Sequence, residues 1–141
     1  MKDIWHWVQL AFAALGGWLG WAIGGLDGLV YALIAFMVID YATGFMCAVA
    51  EKKLSSAVGF RGIFKKITIF AMVAAGHMLD THIIGPSGTV GDYSAIRSAV
   101  VFFYLANEGL SMLENVTRLG LPIPQKLKGV LAQLHGHKPN D

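Results

Sequence analysis

Leu29–Ala50 reads LVYALIAFMVIDYATGFMCAVA, an apolar run carrying one charged residue, Asp40. As an α-helix it covers roughly 33 Å, about the thickness of a bilayer's hydrocarbon core. Working outward, Ile4–Gly25 is a second such run, with His6 its only ionisable group. Downstream, Ile67–Ile84 is a third and contains His77 and Asp80. Ala95 to about Val116 is the most polar, with Arg97, Asn107, Glu108 and Glu114 inside it. The expectation is an all-α integral membrane protein, a single membrane domain over 1–141. It has four transmembrane helices, at about 4–25, 29–50, 67–84 and 95–116.

Composition points the same way. The chain has 141 residues, 55% hydrophobic and only 14% charged, against about 25% charged in an ordinary globular domain. A soluble domain this small has too much surface to cover with so few charges, and a disordered chain would carry more. A net charge of +2 argues against a nucleic-acid partner. The lone cysteine, Cys47, excludes an intrachain disulfide and any multi-cysteine metal site. His77, Asp80 and His82 bring no fourth ligand for a metal. No Gly-rich phosphate loop, nucleophile elbow or paired-carboxylate site with a nearby base is present. No enzyme activity and no cofactor are expected.

The first run follows Lys2, as a signal peptide's would, but it is long for one and no A-x-A site follows. Trp5 and Trp7 lie at one end, Trp18 and Trp21 near the other. As a helix, Trp5 to Trp21 covers about 24 Å, close to the distance between interfacial aromatic belts. A retained anchor is expected.

Basic residues set the orientation. Lys2, the segment with Lys52, Lys53, Arg61, Lys65 and Lys66, and the tail with Arg118, Lys126, Lys128 and Lys138 hold ten of the eleven Lys and Arg. Four spans put all ten on one side, so the positive-inside rule predicts cytoplasmic termini. The far side carries Asp27 in a tight turn and the Gly85–Asp92 loop, rich in turn formers. After Pro122 and Pro124, a short amphipathic helix over about 124–134 places Leu127, Val130, Leu131 and Leu134 on one stripe. It rests either on an anionic leaflet, through Lys126 and Lys128, or on the protein's own loops.

Three features stand out within the spans. Gly16, Gly20, Gly24 and Gly28 recur every four residues, a spacing that lets helices approach closely within or between chains. Asp40, His77 and Glu108 lie near the middle of their spans, where a charge costs about 2.5–3.5 kcal/mol on insertion scales. In the fourth span, Asn107, Ser111, Glu114 and Arg118 share a face, edged by Asn115. Glu114 and Arg118 are an i, i+4 pair able to neutralise each other. These groups suit a proton or cation pathway, or polar faces hidden in a compact form that become pore walls on assembly. They equally suit internal hydrogen bonds that fix helix register.

The chain resembles the toxin-secretion and phage-lysis holins of phages and prophages of Gram-positive bacteria. The residues carrying the resemblance are Asp40-Tyr41-Ala42-Thr43-Gly44, Glu51-Lys52-Lys53-Leu54-Ser55-Ser56 and Gly59-Phe60-Arg61-Gly62-Ile63-Phe64-Lys65-Lys66. The strongest stretch is Asn107-Glu108-Gly109-Leu110-Ser111-Met112-Leu113-Glu114-Asn115, continuing through Arg118-Leu119-Gly120-Leu121-Pro122-Ile123-Pro124 to Leu127. The resemblance covers roughly Leu15 to Leu134. The resemblance implies a protein of the bacterial cytoplasmic membrane that oligomerises abruptly into lesions. Such lesions collapse the proton-motive force and pass a cytoplasmic endolysin to the peptidoglycan. Related proteins are linked to toxin release. A second start codon, which times some holins, is not visible, because the first methionine after Met1 is Met37.

The expected function is therefore a homo-oligomeric holin whose partners are membrane lipid and, functionally, an endolysin. Asp40, Asn107, Glu108, Ser111, Glu114 and Asn115 are the polar-face candidates, and Gly16, Gly20 and Gly24 the packing candidates. A small ion channel or proton-coupled transporter is the alternative.

Overall fold

The computed structural model describes residues 1–84 and 95–136. The Gly85–Asp92 loop and the end of the tail lie outside the described residues, as do the side chains of Leu131, Leu134 and His135 in the tail helix. The described residues are helical, with no strand among them. The helices are α1 (Lys2–Ala22), α2 (Gly28–Ala50), α3 (Ser56–Met78), α4 (Ala95–Arg118) and α5 (Gln125–Gly136). A π-helical turn, Leu79–Ile84, continues α3.

Helix ends follow local chemistry. Asp27 caps α2, its Oδ1 accepting from the Val30 amide at 3.0 Å. Ser55 caps α3 through Val58, so that helix begins well before the apolar run at Ile67 and winds Arg61, Lys65 and Lys66 into it. The first turn beyond α1 closes with Gly24 N–H on Trp21 O and Gly25 N–H on Gly20 O, a Schellman motif that needs the positive φ of Gly24. Helix α4 ends the same way at Gly120, just before Pro122. Helix α2 ends so too, but there Lys52 occupies the left-handed position, at φ 55°.

The chain forms two compact units, both assembled from discontinuous stretches. The first comprises Met1–Tyr31 and Lys66–Phe102; Ile23, Val30, Ile69, Val73 and Val101 form its core. The second comprises Ala32–Lys65 and Phe103–Asp141, with Leu33, Met37, Cys47, Ala48 and Ile123 buried. Large apolar side chains outside these cores are exposed, among them Phe12, Trp21, Phe64 and Phe103. No residue of α1 is buried.

Among the described residues, two helical segments, Gly28–Ala50 and Ser56–Ile84, are long and apolar enough to cross a membrane. The expectation of four rests on α1 and α4, which do not meet that measure. Helix α1 is diluted by four tryptophans, Gln9, His6 and glycines, and α4 by Arg97, Asn107, Glu108, Glu114 and Arg118.

Candidate functional site

In the first unit the polar side chains gather around Arg97. Its guanidinium, with the side chain only 5% exposed, makes a fan of bonds to the turn after α1. Nε donates to Ile23 O, Nη2 to Gly25 O at 2.9 Å, and Nη1 to Asp27 Oδ2 at 2.6 Å. The backbone of the same residue is held from the other side. Asp80, buried in the π-helical turn, accepts from Ile96 N at 3.1 Å and Arg97 N at 2.8 Å. That carboxylate closes the N-terminus of α4, where free amides and the helix dipole favour negative charge. Asp27 thus caps α2 with one oxygen and receives Arg97 with the other. Partial burial of Asp27 opposes its charge. The Arg97 hydrogen bond, the Val30 amide and the guanidinium charge outweigh it and hold the carboxyl below its ordinary value.

His77 completes this cluster. Its Nδ1 is buried without a hydrogen-bond partner. A Cβ placed on Gly24 would lie 2.6 Å from that nitrogen and 2.9 Å from Arg97 Nε, so glycine is what admits the imidazole and guanidinium beside the turn. Although midway along the apolar run Ile67–Ile84, His77 packs at the α1–α2 turn.

In the second unit, Asn115 of α4 clamps α2. Its Nδ2 donates to Asp40 O and Asp40 Oδ1, both at 3.2 Å, and to Thr43 Oγ1 at 3.0 Å. Cys47 Sγ donates to the Asn115 backbone carbonyl at 3.3 Å. Glu108, two turns earlier on α4, is also buried, at 5% exposure. The Tyr41 ring lies against α3 where a Cβ on Gly62 would come within 3.0 Å of it. At the end of α4, Arg118 meets Glu51 with Nε and Nη2, at 3.0 and 2.7 Å. The hydrogen bond from Arg118 keeps the Glu51 carboxyl below its ordinary value, and the same bond raises that of Arg118.

The six polar-face candidates separate accordingly. Asp40 and Asn115 are bonded together, Glu108 is buried, Ser111 is half-buried, and Asn107 and Glu114 are exposed. Arg118, expected to pair with Glu114, gives its fork to Glu51, while Glu114 adds to the field on it. The packing candidates separate too. Gly16 and Gly20 lie on α1, with nothing within 4 Å of a Cβ at Gly16 and only Leu26 at 4.0 Å from Gly20. Gly24 and Gly28 lie beyond α1, so the four do not form one helix face. Sequence reading missed the Arg97–Asp27 clasp and the Tyr41–Gly62 seat. The first had a signal: in the four-span arrangement expected from the sequence, Arg97 is the one basic residue on the side opposite the other ten, and Asp27 shares that side. Among the described residues no group of His, Cys, Asp and Glu is placed to hold a metal ion.

A profile of the bacteriophage holin family matches residues 17–136. An uncharacterized protein of Listeria monocytogenes is 41% identical over 122 residues, 86% of this chain and 80% of its own. An uncharacterized 14.9 kDa protein of Clostridium perfringens is 36% identical over 138 residues, 98% of this chain and 100% of its own. A probable holin of Bacillus phage phi105 is 34% identical over 93 residues, 65% of this chain and 63% of its own. No solved structure matches. Family and apolar helices together point to a membrane location. The chain belongs to the bacteriophage holin family, whose members are non-enzymatic membrane proteins.

Proposed function

We propose that this protein is a phage-lysis holin that spans the bacterial cytoplasmic membrane four times, with both termini in the cytoplasm. Copies assemble there into lesions through which a cytoplasmic endolysin escapes. Family membership carries the lysis role. The four-span arrangement draws support from burial in α4: Arg97 and Glu108 are 4% and 5% exposed. Two of the charges that make α4 too polar by composition are therefore turned inward, while Phe102 and Phe103 are outward. Arg97, the basic residue on the far side, is neutralised by Asp27 and does not oppose the positive-inside rule. Helix α1, exposed along its length with open glycines at 16 and 20, is the surface available to lipid or a second copy.

The test is induced expression alongside a cytoplasmic endolysin. The expected result is a delay, then sudden depolarisation with release of the enzyme into the medium. Cells that lose ion gradients but retain the endolysin would instead identify a small channel and end the large-lesion reading.

A further inference from the structure

Helix α3 and the π-helical turn that continues it, Ser56–Ile84, run for 29 residues, about 43 Å of helix. A bilayer's hydrocarbon core is about 30 Å thick, so roughly nine residues lie outside it. They fall at the Ser56 end, which carries Arg61, Lys65 and Lys66, whereas the stretch 67–79 holds no Asp, Glu, Lys or Arg. We infer that residues 56–65 form a binding surface for anionic phospholipid. Phe60, Ile63 and Phe64 enter the leaflet, and Arg61 and Lys65 hold the headgroup phosphate. The inference rests on the chain's membrane location and not on lesion formation.

Gly59 and Gly62 take the side of α3 that meets Tyr41 of α2. Phe60, Ile63 and Phe64, at i, i+3 and i+4, share a different side, where they are 60%, 44% and 64% exposed. With the two rings 6.5 Å apart, they form one continuous apolar stripe. Arg61 and Lys65, each one residue beyond a phenylalanine, are exposed along its edge. Among the described residues neither forms an ion pair; Glu51, the acid nearest in sequence, pairs with Arg118 and Lys53. The two cations are an i, i+4 like-charge pair, which is unfavourable in isolation, and α3 has no acidic residue in its first turn to offset them. A phosphate between them relieves that repulsion. An anionic headgroup suits the edge best, because a zwitterionic one brings its own cation beside the phosphate. Apolar side chains at the acyl boundary, with basic ones reaching back to the phosphates, are the pattern of an interfacial helix.

The experiment uses the full chain in neutral detergent micelles. Phosphatidylglycerol or phosphatidylcholine is added at equal mole fraction, and the lipid retained per chain is read by native mass spectrometry. The wild type should retain phosphatidylglycerol about fivefold over phosphatidylcholine, the factor given by about 1 kcal/mol for one basic residue at an anionic surface. Arg61→Gln/Lys65→Gln should abolish the preference, while the charge-conserving Arg61→Lys/Lys65→Arg keeps it. Lys126→Gln/Lys128→Gln removes the same charge from α5, a helix without an aromatic side chain, and should keep most of the preference. Phe60→Ala/Phe64→Ala should retain less of both lipids. Equal retention of the two lipids by the wild type overturns the headgroup site and leaves the membrane location standing. A preference that survives in Arg61→Gln/Lys65→Gln overturns it too. So does one that falls as far in Lys126→Gln/Lys128→Gln, because net charge then sets it, or retention unaltered in Phe60→Ala/Phe64→Ala.

Discussion

Asn115 Nδ2 lies 3.2 Å from Asp40 Oδ1 and the same distance from the Asp40 carbonyl, so one amide of α4 serves both the side chain and the backbone of α2. Polar contacts between helices in membranes contribute about 0.6–2 kcal/mol. Asn115→Leu is expected to cost an amount in that range, lowering the thermal midpoint in detergent by a few degrees. Asn115→Asp should cost more, since it sets a second carboxylate against Asp40. Equal midpoints for wild type and both variants would remove the clamp from the account of stability.

Tyr41 fills the groove that Gly62 leaves open on α3. A methyl group at position 62 would lie 3.0 Å from Cε2 and 3.2 Å from Cδ2 of the ring, whereas one at Gly59 would lie 3.5 Å from the hydroxyl. Gly62→Ala should therefore destabilise by about 1–3 kcal/mol, the usual range for overpacking. Gly59→Ala should be nearly neutral. Combining Gly62→Ala with Tyr41→Ala should recover most of the loss specific to the clash, which a double-mutant cycle of thermal midpoints measures.

Lys52 holds a left-handed conformation at the end of α2, where Gly24 and Gly120 hold the equivalent position beyond α1 and α4. A side chain there costs roughly 1–2 kcal/mol. Lys52→Gly should raise stability by somewhat less than that, since glycine adds entropy to the unfolded chain. A lower midpoint in Lys52→Gly would show that the lysine makes a compensating contact.

Apolar length locates the helices in the sequence, and Pro122 and Pro124 mark the stop after α4, because those signals are local; the start of α3 at Ser56, capped by Ser55, lies well ahead of the apolar run at Ile67. The tail helix at Gln125–Gly136 likewise follows from Pro124 and the leucine stripe. The site was less legible because its contacts join residues far apart in the chain. Asp40 and Asn115 are separated by 75 positions and Asp27 and Arg97 by 70, and no periodicity encodes such pairings. Gly24 shows the limit well. Its four-residue spacing from Gly20 suggests one helix face, but its own positive φ closes a Schellman turn that ends the helix first. For Glu114 and Arg118, the favourable local spacing lost to Glu51, which presents two carboxylate oxygens to the guanidinium fork.

The Asp27–Arg97 contact makes stability depend on acid. A carboxyl whose folded value is depressed contributes above its unfolded value, near pH 4, and that contribution is lost as pH falls through the folded value. Wild-type stability should therefore fall below about pH 4. Asp27→Asn should be less stable at pH 7 and flatter in the acid range. Because the Asp27 side chain is 42% exposed, solvent screening keeps the effect to about 1 kcal/mol or less. Glu51, also depressed, titrates in the same direction. The residual acid slope in Asp27→Asn should thus diminish further when Glu51→Gln is added. An acid profile identical in wild type and Asp27→Asn would exclude the clasp as its source.

Glu108 links the compact form to lysis timing. In the compact second unit it is 5% exposed, and holding a carboxyl out of water carries a desolvation penalty that its contacts must offset. In the proposed lesion, the polar side of α4 meets water and that penalty disappears. The native residue thus favours assembly relative to the compact state. Glu108→Leu reverses the bias: leucine suits a buried position and loses by hydration. Lysis should begin later in Glu108→Leu than in wild type at equal protein level, with smaller crosslinked oligomers at the wild-type lysis time. Glu108→Gln, which keeps the shape and removes the charge, should fall between them. Optical density after induction, with membrane protein measured by immunoblot, gives the timing. Unchanged onset and oligomer size in Glu108→Leu would separate the buried carboxyl from triggering and leave it a role in fixing the position of α4.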